Sequence, residues 1–130
     1  AAHDSISYFL PQTRTEYRVF ALLGFTAGIT EEIIFRGFLI WALAMFMPEW
    51  TAAVLSLLLF IFMHRYQGVG GMVQVSVIGA VITALYMTSG SLYPVIILHI
   101  AVDILVNALH WRVRQPEAGG SESQAAPQLL

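Results

Sequence analysis

Four long apolar stretches, residues 33–47, 51–63, 72–88 and 92–109, constrain the fold of this chain more than any other feature, and a weaker fifth, 19–29, precedes them. None alternates apolar and polar residues, as membrane β-strands do. They therefore read as helices. The breaks between them are "MPEW" around Pro48, "QGVGG" at 67–71 and "TSGS" around Gly90, each rich in residues that stop helices. Several stretches are shorter than the ~20 residues that cross a bilayer comfortably, and flanking Trp, Tyr and Arg extend them to the interface. Pro94, in "SLYP", is predicted in a first helical turn, where its missing N–H costs nothing.

Composition decides what surrounds these helices. Hydrophobic residues make up 58% of the 130 and charged residues 11%, with a mean hydropathy of +0.73. Soluble domains carry about a quarter of their residues charged, so water on all sides fits badly. The expected fold is all-α, a polytopic transmembrane helical bundle whose motif core has four to five helices. Its parts are a polar or interfacial segment at 1–16, a transmembrane core at 17–114, and a disordered polar tail at 115–130 with Pro, Gly and Ser. The start, "AAHDSISYF", has neither an initiator methionine nor a signal-peptide pattern, and upstream sequence is expected to be missing. With no cysteine, disulfides, thiolate metal sites and a cysteine nucleophile are excluded. No basic patch for nucleic acid is present.

Lysine is absent, so every basic residue is an arginine. Arg14 and Arg18 precede the first apolar region, Arg65 follows the second long helix, and Arg112 and Arg114 follow the last. The connections at Pro48 and Gly90 carry none. Four crossings put all five on one side, which the positive-inside rule makes cytoplasmic. The expected location is the cell membrane, multi-pass.

Ionisable and amide groups inside apolar helices need a reason, because burying an ion in lipid costs several kcal/mol. Those present are Glu31, Glu32, Arg36, His64, His99, Asp103 and Asn107. One alone reads as structural glue between helices. Seven over three segments point to a site. Glu32 and Arg36, four apart on one helical face, should neutralise each other. Glu31 is turned ~100° away and is the carboxylate left over, with a proton affinity its surroundings can tune. His99 and Asp103 form a second i, i+4 pair, in which the carboxylate can fix the ring's tautomer or stabilise its charged form. His64 ends "FIFMH" beside Arg65 and reads equally as an interfacial histidine. His110, beside Trp111, and His3 are assigned no role. On hairpins at Pro48 and Gly90, Glu31, Glu32 and His64 share a level, whereas His99 comes out one to two turns shallower at ~1.5 Å per residue.

Carboxylates and imidazoles without a nucleophile suggest activated water. The H-E-x-x-H signature is absent, since His64 is followed by "RYQG". No G-x-S-x-G occurs, and Ser56, Ser76, Ser89 and Ser91 lack a histidine at convincing spacing. Asp103 is the one aspartate in an apolar helix, so an aspartate dyad is excluded. A glutamate base with histidine to hold the water or the oxyanion remains.

"EEIIFR", "FIFMH" and "HIAVD" fall in the order of the E-E-x-x-x-R, F-x-x-x-H and H-x-x-x-N/D motifs. In this, and in "FRG" at 35–37, the chain resembles the CAAX-protease and bacteriocin-processing (Abi) family, which includes the type II CAAX prenyl endopeptidases. The resemblance covers about 28–107 and implies a multi-pass intramembrane endopeptidase, of which this chain is the motif core. By motif position, Glu31 would be the general base and His64 would position the water. Glu32 and Arg36 would support the base, and His99 with Asp103 would form the oxyanion site. Asparagine is the residue at Asp103's position in the eukaryotic prenyl endopeptidases, and an ionised aspartate cannot donate. Asp103 is then either protonated or orients His99, and Asn107 one turn on could supply the amide.

Three functions follow as expectations. The first is a glutamate-dependent endopeptidase acting on a membrane-associated peptide or protein, with the lipid bilayer and that substrate as partners and no cofactor. The second assigns His64, His99 and Glu31 to a divalent metal such as zinc. The third is a non-catalytic membrane immunity or partner-binding protein. Gly24 and Gly28 in "GFTAG" allow close helix approach, read here as internal packing.

Overall fold

The structure is a computed structural model that describes residue 11 and residues 13–122, without the side chains of 110 and 113–122. The expectations for His3, the side chain of His110, most of segment 1–16 and residues 123–130 fall outside the described residues.

Helical backbone runs in three stretches. Thr13 caps the first through a capping box with Glu16, and α1 spans Arg14–Glu32. It continues without a break through a π-helical segment, Ile33–Leu39, into α2, Ile40–Ala44. The apolar stretch 19–29 thus flows into 33–47. The chain then turns at Pro48 into α3, Glu49–Met63, a 3-10 turn at His64–Gln67, and α4, Gly68–Ser89. Gly90 closes α4 at φ +63°, and α5 runs over Leu92–Glu122 with Pro94 in its first turn. The described residues contain no strand.

One difference from expectation has a physical reason. "QGVGG" breaks the chain only at Gly68, whose φ of +74° and ψ of 180° suit a residue without Cβ. Val69, Gly70 and Gly71 are already helical, since a helical glycine costs only about 1 kcal/mol. Helix α5 is drawn through residues 115–122.

Gly79 faces Leu57 and Phe60, so the second stretch folds back on itself at Gly68. Helix α5 runs antiparallel to α1, with Gly24 facing Asp103 and Gly28 facing Ile100. That close seam is the internal packing expected of the two glycines.

Burial is inverted relative to a soluble protein. The buried side chains include Glu32, Arg36, Ser56, Thr83, His99 and Asn107, while Leu22, Phe46, Val69 and Ile97 are among many large apolar residues left outside. In water each exposed side chain of this kind forgoes ~1.5–3 kcal/mol of burial. In lipid it forgoes nothing. Glu49–Ser89, which folds back at Gly68, and Leu92–Leu109 are by length and composition apolar enough to cross a membrane.

Candidate active site

Glu31 and Glu32 end α1 where the backbone widens into the π segment. Glu32 is fully buried, and Arg36, 1% exposed, donates through Nη1 to its Oε1 at 3.0 Å. The pairing read from their spacing is present. Arg36 Nη2 reaches α4, donating to the Gly79 carbonyl at 3.3 Å and Thr83 Oγ1 at 3.4 Å. The guanidinium carbon lies 4.5 Å from the centre of the Phe60 ring. A buried ion pair is tolerated when hydrogen bonds satisfy what the pairing leaves over, and these contacts do so for the arginine.

Glu32 has a second partner that its spacing does not reveal. His99 Nδ1 lies 2.6 Å from Glu32 Oε1, the same oxygen that accepts from Arg36. An ionised carboxylate only accepts, so Nδ1 carries the proton. The other ring nitrogen, Nε2, then faces Glu31 Oε2 at 3.8 Å and Asp103 Oδ2 at 3.7 Å. Both separations exceed a hydrogen bond.

Glu31 is the open carboxylate. Its side chain is 28% exposed and, among the described residues, makes no hydrogen bond. His64 stands where α3 passes into the 3-10 turn, and its Nδ1 donates to the Phe60 carbonyl at 2.8 Å. A carbonyl can only accept, so Nδ1 carries this ring's proton and Nε2 is left as the acceptor of the neutral imidazole. Phe60 separates the two imidazoles, with ring centres 4.5 Å from His64 and 6.3 Å from His99.

The structure therefore brings Glu31, Glu32, Arg36, His99 and Asp103 into one cluster, with His64 at its side. The expected depth mismatch of His99 is absent. The α1–α5 seam sets the register of His99 directly against the end of α1, whereas the expectation propagates it through the turn at Gly90. Glu32 holds Nδ1 of the ring, and Asp103 stands on its Nε2 side. Asn107 is buried, and neither atom of its amide has a partner among the described residues.

Three supports lie beyond the expected set: Thr83, the Gly79 carbonyl and Ser56. Ser56 Oγ donates to the Phe35 carbonyl at 2.7 Å, and that carbonyl also accepts the Ile40 N–H across the π turn. Hydroxyl residues inside apolar helices are the available signal, but a search for nucleophiles considers Ser56 only as one of those. Among the described residues no three His, Cys, Asp or Glu side chains are disposed to hold a metal ion.

The model of one protein family, described as type II CAAX prenyl endopeptidase Rce1-like, matches residues 13–105. No curated protein and no solved structure matches the chain.

Proposed function

The chain belongs to the type II CAAX prenyl endopeptidase Rce1-like family, and from that premise we propose that it is a glutamate-dependent intramembrane endopeptidase. It hydrolyses a peptide bond of a membrane-associated protein or peptide with activated water. The observation that carries this reading is the position of His99. Its Nδ1 is held by Glu32, and its Nε2 faces the unbonded carboxylate of Glu31.

Each group then has a role that its contacts support. Glu31 takes one proton of the attacking water as general base. His64, protonated at Nδ1 by its bond to Phe60, accepts the water's other hydrogen at Nε2 and so orients it. As hydroxide adds to the scissile carbonyl, the new oxyanion is met by His99 Nε2–H. That donation requires a proton on both ring nitrogens, and the Glu32 carboxylate supplies the counter-charge. Arg36 pairs with Glu32 and ties it to α4 through Gly79 and Thr83. Asp103, on the Nε2 side of the ring, lines the oxyanion position in its protonated form, the form that can donate. The proton on Glu31 passes to the leaving amine as the C–N bond breaks, which regenerates the carboxylate.

The polytopic architecture of four to five helices, residence in the cell membrane and arginine-bearing ends on the cytoplasmic face belong to the same proposal. Arg14, Arg18 and Arg112 do share one end of the α1–α5 pair, as the positive-inside reading requires.

Cleavage of prenylated CAAX peptides by the reconstituted chain tests the chemistry. Glu31→Gln should lower kcat by roughly 10²–10⁴-fold, the usual contribution of a general base. Unchanged turnover in that variant would remove Glu31 from the mechanism.

A further inference from the structure

At the far end of the α1–α5 pair from Gly90, Arg14, Tyr17 and Arg18 of α1 and Trp111 and Arg112 of α5 line a cavity of about 490 Å³. The Tyr17 and Trp111 rings meet at 5.3 Å and join the two helices there. None of the three guanidinium groups has a carboxylate partner among the described residues. Glu16, in the same turn, is engaged in the capping box with Thr13. Arg14, Arg18 and Arg112 are all exposed, and three like charges gathered around one open groove attract an anion to it. Arginine forks suit phosphate oxygens in particular, because each can donate two parallel hydrogen bonds.

The position of the cavity selects the source of that anion. In the sequence the apolar run of α5 gives way after Leu109 to "HWRVR", so Trp111 and Arg112 lie just past its end. Tyr and Trp are the residues that settle at the boundary between hydrocarbon and headgroups. Charged arginines beyond an aromatic pair, at the end of an apolar span, stand at the level of lipid phosphates. We infer that this cavity is a binding site for the phosphodiester headgroup of an acidic phospholipid, separate from the carboxylate–imidazole cluster. The bound lipid bridges α1 and α5 at their outer end, where the Tyr17–Trp111 contact is the aromatic link between them.

The test is a binding titration of the purified full chain in neutral detergent with fluorescent phosphatidylglycerol and, in parallel, fluorescent phosphatidylcholine. The expected result is saturable binding of phosphatidylglycerol at least tenfold tighter than of phosphatidylcholine. Arg14→Gln/Arg18→Gln/Arg112→Gln together should abolish that preference, while Arg65→Gln, outside the cavity, should leave it intact. Because the triple variant removes three charges, the triple Arg→Lys variant is measured beside it. It keeps the charge and loses the fork, so an intermediate preference is expected. Equal affinity for the two lipids, or a preference that survives the triple Gln variant, would overturn the site. Competition by inorganic phosphate as effective as that by unlabelled phosphatidylglycerol would overturn the lipid assignment. So would displacement by a soluble peptide through its free carboxylate.

Discussion

Adjacent residues of identical chemistry, Glu31 and Glu32, meet opposite conditions because a helix sends neighbouring side chains in directions ~100° apart. Glu32 is fully buried and shared between Arg36 and His99, while Glu31 makes no hydrogen bond among the described residues. The two should respond differently to the same substitution. Glu32→Gln leaves a buried guanidinium facing a neutral amide, and breaking one partner of a buried pair costs about 3–5 kcal/mol. Thermal unfolding in detergent should therefore show a clear fall in Tm for Glu32→Gln and little change for Glu31→Gln. The order reverses if Glu31 is the structural carboxylate, and equal losses would mean that neither is set apart for chemistry. That Glu32 and Arg36 pair is legible from their four-residue spacing. That Glu32 also holds His99 is not, because the partner lies 67 residues away on another helix. Spacing commits Glu32 to Arg36, although a carboxylate offers two oxygens and about four acceptor directions.

Between elements, the register of the site rests on how closely α1 and α5 approach. A Cβ on Gly28 would stand 2.7 Å from Ile100 Cγ1 and 3.3 Å from the Ile100 backbone nitrogen. Gly28→Ala should push the helices apart and move His99 away from Glu32, at about 1–3 kcal/mol for overpacking. Ile100→Ala removes the nearer of those atoms, so the double variant should recover stability and activity beyond the sum of the single effects. Additive losses would show that the seam does not set the register. The sequence marks Gly24 and Gly28 as a close-approach pair but not the helix they approach. It does not reveal the π segment at Ile33–Leu39, because the widening is held from outside. Ser56 donates to the Phe35 carbonyl, and Arg36 is anchored on α4. Helix positions are legible where apolar runs end in Pro48 and Gly90, since those residues act locally. They are less so at 67–71, where only Gly68 takes a conformation that a glycine is needed for.

Taken whole, the molecule buries polar side chains beside a small apolar core and leaves many large apolar ones outside, and composition alone anticipates that apolar exterior. Composition does not say how the helices sit across the bilayer. The fold gives that question a direct test. From Gly68 to Ser89, α4 is roughly 33 Å long at 1.5 Å per residue, close to the ~30 Å of bilayer hydrocarbon. Its two ends should therefore lie on opposite faces, with the Arg65 end cytoplasmic by the positive-inside rule. The chain has no cysteine, so single cysteines can be introduced without a background. Tyr66, 75% exposed just before α4, and Tyr93, 81% exposed just after it, are suitable positions. A membrane-impermeant maleimide should label Tyr93→Cys on intact cells and Tyr66→Cys only in inverted vesicles. The reverse pattern would invert the orientation and leave the span standing. Labelling of both positions from one side would show that α4 does not cross, and the hairpin at Gly68 would then be a re-entrant element carrying His64 into the site from the face it entered.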